Sequence, residues 1–257
     1  MRRRGGKHQR CYRSGHPSLA GERLKGIMIA LAVSYPLLAH LAVVRGSEPL
    51  LALSLAVLAL AVLLPGLARG SVAAIAGAAV IAALLAGLAR SRLAWLPLYA
   101  PSVVTDLVAA ALFARTLSPG HVPLIERFVR LMHAPGEPID PAVQAYARRL
   151  TLGWALLFAL LALASLLLAL CATPNGILLL LGVQPPVSVP QEAWSLFANV
   201  LEYALVAGFF VIEYAIRRRR FPQQPFTGLR DFTTRLLAVA PAAFDPGRRR
   251  AGMGKHA

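Results

Sequence analysis

Of 257 residues, 57% are hydrophobic and the mean hydropathy is +0.61, which is too apolar for a pair of soluble domains that must face water. A formal charge of +16 would point to nucleic acid in a soluble chain, but here Lys and Arg sit in short stretches flanking apolar runs. That arrangement orients helices in a bilayer and argues against a nucleic-acid partner.

The chain begins with a basic segment (Arg2, Arg3, Arg4, Lys7, Arg10, Arg13) resembling a signal peptide only in its charge; no small-residue cleavage site follows, so the first span is read as uncleaved. Crossing the hydrocarbon core takes roughly 20 apolar residues as a helix, because no backbone group can be left unpaired in lipid. Six stretches qualify, at 27–44, 49–68, 71–89, 93–114, 152–172 and 194–216. The predicted fold is all-α: a polytopic helical membrane protein with about six transmembrane helices. It runs from a basic tail (1–26) through a transmembrane domain (27–216) to a second basic tail (217–257), partly disordered. The links Arg45-Gly46-Ser47-Glu48, Arg69-Gly70 and Arg90-Ser91-Arg92 are so short that neighbouring helices must form antiparallel hairpins.

Cytoplasmic loops retain positive charge. With the N-terminus inside, 24 of the 27 basic residues fall on the inner side and 3 (Arg45, Arg90, Arg92) on the outer, so both termini are expected in the cytoplasm. This topology puts Cys11 and Cys171 on opposite sides of the membrane, and no disulfide framework is implied. The third stretch is dense in small residues (Ala73, Ala74, Gly77, Ala78, Ala82, Ala86), as a closely packing helix requires.

The long inner loop, 115–149, has structure of its own. From Pro123 to His133 apolar residues recur at helical spacing while Glu126, Arg127 and Arg130 gather on another face, predicting a short amphipathic helix in the headgroup layer with an i, i+4 pair between Glu126 and Arg130. Asp140-Pro141 reads as an N-cap followed by proline at the first helical position, so the fifth helix should start in the cytoplasm and carry Tyr146, Arg148 and Arg149 at its membrane entrance. The outer segment 173–192 holds Ile177 to Leu181, too short to span and expected to dip into the interface. After Arg217 to Arg220, residues Leu229 to Leu237 are readable as one weak amphipathic helix.

Intramembrane polar groups are costly, at least roughly 2.5–3.5 kcal/mol for a central Asp on insertion scales, and so are candidates for function. They are Asp106, Asn199, Glu202 and Glu213. Glu213 precedes Arg217 by one turn, which a local ion pair explains. Asp106 lies about 13 Å from Arg115 and Glu202 about 12 Å from Trp194, which places both near mid-membrane, with no Lys or Arg inside any span to neutralise them. On the inner face Arg115, Glu126, Arg127, Arg130, Tyr146, Arg148 and Arg149 are candidates for holding an anionic headgroup or an acidic partner, since guanidinium matches phosphate geometry.

The histidines lack ligand spacing. His8, His16 and His256 lie in the tails, His40 stands isolated in the first span, and His121 and His133 share the inner loop; no metal site and no cofactor is expected. His121 and Glu126 have the spacing of a glycerolipid acyltransferase pair, with Glu in place of Asp and no phosphate-binding motif after it, a coincidence rather than a signature. No Ser-His-Asp arrangement, P-loop or dinucleotide fingerprint is present.

Three stretches taken together carry a likeness. They are Phe113-Ala114-Arg115-Thr116-Leu117 with Pro123-Leu124-Ile125-Glu126-Arg127; Tyr146-Ala147-Arg148-Arg149-Leu150-Thr151 with Trp154; and Trp194-Ser195-Leu196-Phe197-Ala198-Asn199 running to Glu213-Tyr214 and Arg217. Over roughly residues 93–220 the chain resembles a largely uncharacterised family of bacterial inner-membrane proteins. They are commonly encoded beside ketosynthases, acyl carrier proteins, dehydratases and AMP-forming ligases in aryl polyene and xanthomonadin-type pigment clusters. Some members are labelled ketosynthase, but a condensing enzyme needs a nucleophilic cysteine in a soluble fold, and Cys11 lies in a basic tail and Cys171 in a span.

The resemblance implies a multi-pass protein of the bacterial inner membrane, an accessory of an aryl polyene or fatty-acyl system. It would anchor acyl carrier protein or soluble biosynthetic enzymes on a bilayer with anionic headgroups, or handle a lipid-linked product; oligomers are left open. Two other readings compete: a membrane acyl- or lipid-modifying transferase with its site at the inner interface, and a small proton-linked transporter using Asp106 and Glu202.

Overall fold

The structure, a computed structural model, describes residues 19–88, 91, 93–132, 138–221 and 234. The expectations for Cys11, His133, Arg90, Arg92 and the helix at 229–237 fall outside the described residues.

Helices dominate, as a chain dissolved in lipid must satisfy its own backbone. α1 spans Leu19–Arg45, α2 Glu48–Leu67, α3 Val72–Leu88, α4 Leu96–Arg115, α5 Leu124–Met132, α6 Pro141–Cys171, α7 Ile177–Leu180, α8 Gln191–Leu196 and α9 Glu202–Arg220. Among the described residues five helical runs are long and apolar enough to cross a membrane: α1 from Gly26, α2, α4, α6 and the stretch Gln191–Arg220. α3 is apolar throughout but has 17 residues, about 25 Å of helix. The last run differs from the uninterrupted helix expected at 194–216. It starts at Gln191, passes through a π-helical turn at Phe197–Leu201 and continues as α9 to Arg220.

The expected hairpins are present. Gly46 and Gly70 turn the chain at φ +56° and +66°, where a side chain would be strained. At the second hairpin the helices nearly touch: a Cβ added at Gly66 would lie 2.6 Å from that of Ala74, as small-residue packing anticipates. α1 packs on α2, and α4 on α6. At one end Ala172–Thr173 and Val189–Pro190 form a two-residue parallel bridge, a detail the all-α expectation lacked, and α7 occupies the predicted apolar run between them.

α9 is held to α6 along one antiparallel stripe. Ser165 meets Glu202, Trp154 meets Phe209 and Tyr146 meets Glu213, residues that advance along α9 as they retreat along α6. Gly153 keeps this approach close, since a Cβ there would meet Phe209 Cζ at 3.2 Å.

Asp140 caps α6 as its sequence implied, its carboxylate accepting the Ala142 N–H at 2.8 Å. α5 is docked rather than floating at the surface, with Leu124, Glu126 and Phe128 buried. Its first two N–H groups donate to hydroxyls on the spans: Leu124 N to Thr116 Oγ1 (3.0 Å) and Ile125 N to Thr151 Oγ1 (3.3 Å). Each hydroxyl donates back into its own backbone, to Phe113 O and Ala147 O, so two spanning helices cap a third. Replacing Thr116 and Thr151 by Val keeps the shape and strands these donors, at about 1–3 kcal/mol each. Trypsin should then cleave the double variant at Arg127 and Arg130 faster than wild type; equal rates would show that these hydroxyls do not hold α5.

Candidate functional site

The four intramembrane candidates separate into two groups. Glu213 belongs to the arginine-bearing end, where its carboxylate accepts from Arg217 Nη2 at 3.1 Å and from the Tyr146 hydroxyl at 3.4 Å. This is the anticipated local ion pair, with a tyrosine added from α6.

Asp106 and Glu202 are nearly 100 residues apart in sequence, yet their carboxyl groups come within hydrogen-bonding reach of each other. Both are buried, at 6% and 7% exposure. Ser165 Oγ on α6 donates to Glu202 Oε1, so α4, α6 and α9 converge on one carboxyl cluster. Ionised carboxylates only accept hydrogen bonds, so a hydrogen bond between two carboxyls requires a proton on the pair.

The cluster faces a cavity of about 820 Å³ between α1, α2, α4, α6 and the α8–α9 run. Its walls are apolar and aromatic: Tyr35, Leu98, Trp154, Phe158, Tyr203 and Phe210 are representative. Its rim residues Val62, Tyr203 and Val211 are more than half exposed, so it opens sideways toward the surface that apolar side chains cover. Three lining groups carry a buried polar atom without a hydrogen-bond partner: Ser102 Oγ, Asp106 Oδ2 and Trp194 Nε1. Native interiors rarely leave such atoms unsatisfied. Ser102 and Asp106 are one turn apart on α4 and share a face, while Trp194 lies about 12 Å from Glu202 along its own helix run.

Local helix irregularities shape this space. Pro36 and Pro65 interrupt α1 and α2, and having no N–H they cannot serve the carbonyls of Ala32 and Ala61, both on the cavity wall. The π-turn carries Asn199, whose amide donates to Ser195 O and Ser195 Oγ, each at 3.1 Å. π-turns are frequent at functional sites. His40 is not isolated as expected: its Nδ1 lies 3.0 Å from Ser195 Oγ, joining α1 to α8. Sequence spacing had no means of finding His40–Ser195 or Ser165, because both contacts are between distant helices.

The inner-loop candidates are largely engaged in local structure. Glu126 is buried and makes the anticipated pair with Arg130, accepting from its Nε and Nη2 at 3.0 and 2.5 Å. Arg127 Nε donates to Val122 O and Arg148 Nη2 to Leu117 O. Arg115 and Arg149 are exposed. His121 is exposed as well, and sits near Pro119 O rather than beside Glu126.

An aromatic cluster borders the cavity toward the arginine-bearing end. Trp154 stacks near Phe113 and Phe158, with centroids 6.0 and 5.7 Å away, and meets Phe209 edge-on at 4.7 Å. Trp154→Ala should cost about 3–5 kcal/mol, seen as a fall in thermal midpoint in detergent, while Trp154→Phe should recover most of it. Equal midpoints for the two variants would mean that the ring stack does not hold α6 to α9. No protein-family model matches the chain, and neither does any curated protein or solved structure, so the residues and their geometry are the guide to function.

Proposed function

We propose that this chain is a small carrier of the bacterial inner membrane, which binds a hydrophobic molecule inside the bilayer and exchanges a proton at Asp106 and Glu202. The observation that carries this reading is the contact between two buried carboxyls on the wall of a laterally open cavity. A carrier needs a compartment reachable from lipid and a group whose charge changes within it, and intramembrane carboxyls recur in proton relays. In this reading α3 is the sixth span, of the length that a thin or locally adapted bilayer accepts, and both termini are cytoplasmic.

A second reading is the accessory role in an aryl polyene or fatty-acyl system, and the exposed guanidiniums of Arg115 and Arg149 favour it. They lie on two different helices at one end of the bundle, and positive charge there complements an acidic surface such as that of an acyl carrier protein. The two readings join if the cargo is the product of such a system.

Topology has a direct test. In intact cells an impermeant maleimide should label a Cys171→Ala, Gln184→Cys variant at the exposed position 184 and leave Cys11 unlabelled until the membrane is broken; the reverse pattern would invert the assignment.

Carrier activity is tested in everted membrane vesicles energised with ATP and monitored by a pH-sensitive dye. Among neutral, anionic and cationic hydrophobic probes, at least one class should dissipate the pH gradient when the wild-type chain is present, with Asp106→Asn and Glu202→Gln each losing at least about tenfold of that rate. If no class does so, the carrier reading is wrong. For the second reading, acyl carrier protein should bind the wild type and lose about tenfold in affinity on Arg115→Ala with Arg149→Ala; unchanged binding removes it.

A further inference from the structure

We infer that the cavity takes a lipophilic monovalent cation, bound against Asp106 and Glu202 in exchange for one proton, an assignment that rests on the carrier reading and names its cargo class.

The argument starts with charge. The cavity lining includes Asp106 and Glu202 but no Lys, Arg or His, so every full charge it offers a ligand is negative. Backbone adds to this sign, since the carbonyls of Ala32 and Ala61 lack their usual helical N–H partners because of Pro36 and Pro65. An anionic or phosphorylated ligand would find no counter-charge there. A neutral hydrocarbon would leave the polar atoms as they are, at the cost that buried unpaired groups carry.

The second line is an unmet partner. Asp106 lines the cavity at 6% exposure, and its buried Oδ2 has no hydrogen-bond partner. Trp194 is 1% exposed and lines the same space.

The third is the aromatic lining. Tyr35, Trp154, Phe158, Trp194, Tyr203 and Phe210 line the same cavity as the acids. Ring faces attract cations, with the largest effect where water is excluded, and a cavity lined by aromatics and carboxyls suits a large, weakly hydrated cation better than a metal ion. Among the described residues no group of three His, Cys, Asp or Glu gathers to hold a metal. The lateral opening, rimmed by Val62, Tyr203 and Val211, admits a ligand already dissolved in the bilayer.

Proton balance follows from the carboxyl contact. With a proton shared between the two groups the empty pair carries at most one negative charge. Entry of a monocation is matched by release of that proton to solution, leaving the net charge of the site unchanged. The titratable groups facing the pair are the Tyr35 phenol on α1 and the Tyr203 phenol on α9; α2 contributes only Leu58, Ala61 and Val62 to the lining, and α6 offers the Ser165 hydroxyl. A phenol is a far weaker acid than a carboxyl group, so the proton comes from the pair.

The test uses the purified full-length chain in detergent with tetraphenylphosphonium as the probe. Wild type should bind it saturably and release about one proton per cation, with affinity rising up to about tenfold for each unit of added pH while the pair is protonated. Asp106→Asn and Glu202→Gln should each lose at least about tenfold in affinity. Binding that ignores pH, releases no proton, or survives in both carboxyl variants overturns the assignment, and the first two measurements need no variant to fold. Oleate, an anionic probe of similar bulk, separates this result from the carrier reading. If oleate binds and is displaced by filling the cavity with Ala198→Trp, while tetraphenylphosphonium does not bind, the cation assignment falls and the carrier reading stands.

Discussion

Side-chain contacts between α6 and α9 fix where the carboxyl cluster sits. In lipid there is little hydrophobic gain in pressing one apolar helix against another, so association rests on close packing and on polar contacts worth about 1 kcal/mol each. Three such contacts recur along the stripe: a hydroxyl on a carboxyl at Ser165–Glu202, stacked and edge-on rings around Trp154, and the Tyr146–Glu213 contact backed by Arg217. The run leading into α9 meets α1 before α9 begins, where Ser195 of α8 lies against His40. Beyond that point α1 and α2 stand apart from α9, and the space between them is the cavity. A carboxyl that helps bind two helices together thus becomes part of the wall of a chamber.

The opposite economy operates at the arginine-bearing end. A protein with 27 basic residues has charge to spare, yet four of the described arginines there complete local structure. Arg130 neutralises the buried Glu126, Arg127 and Arg148 satisfy carbonyls of the connecting loop, and Arg217 compensates Glu213. Because buried charges and carbonyls need partners, the loop from α4 to α6 is drawn onto the ends of the spans and α5 is seated on two threonine hydroxyls. Arg115 and Arg149 remain exposed, as do Arg218, Arg219 and Arg220 at the end of α9.

The cavity and the loop therefore answer different physical demands. At the loop, each buried acid is matched by a guanidinium. Around Asp106 and Glu202 no cation is supplied, and the polar atoms that remain are left without partners inside apolar walls. The prolines of α1 and α2 and the π-turn before α9 are in keeping with this, since irregular backbone at membrane depth is tolerated where it lines a cavity.

The sequence by itself determined which segments are helices and how they connect. Runs of about 20 apolar residues leave the backbone no other solution in lipid, and Gly46, Gly70, Asp140 and Pro141 mark ends through local rules of turn and cap. Pairs one turn apart, Glu126 with Arg130 and Glu213 with Arg217, were legible for the same reason, because helix geometry alone brings i and i+4 together. What only the tertiary structure decided is every contact between distant segments: Asp106 with Glu202, Ser165 with Glu202, His40 with Ser195, and the docking of α5. The reason is that a span buries its backbone the same way whichever face it turns to its neighbours, so hydropathy specifies the helix and leaves its rotation and partners unspecified. Those depend on shape and on a few polar groups. Here they turn two acids, readable in sequence only as separate mid-membrane costs, into one shared site.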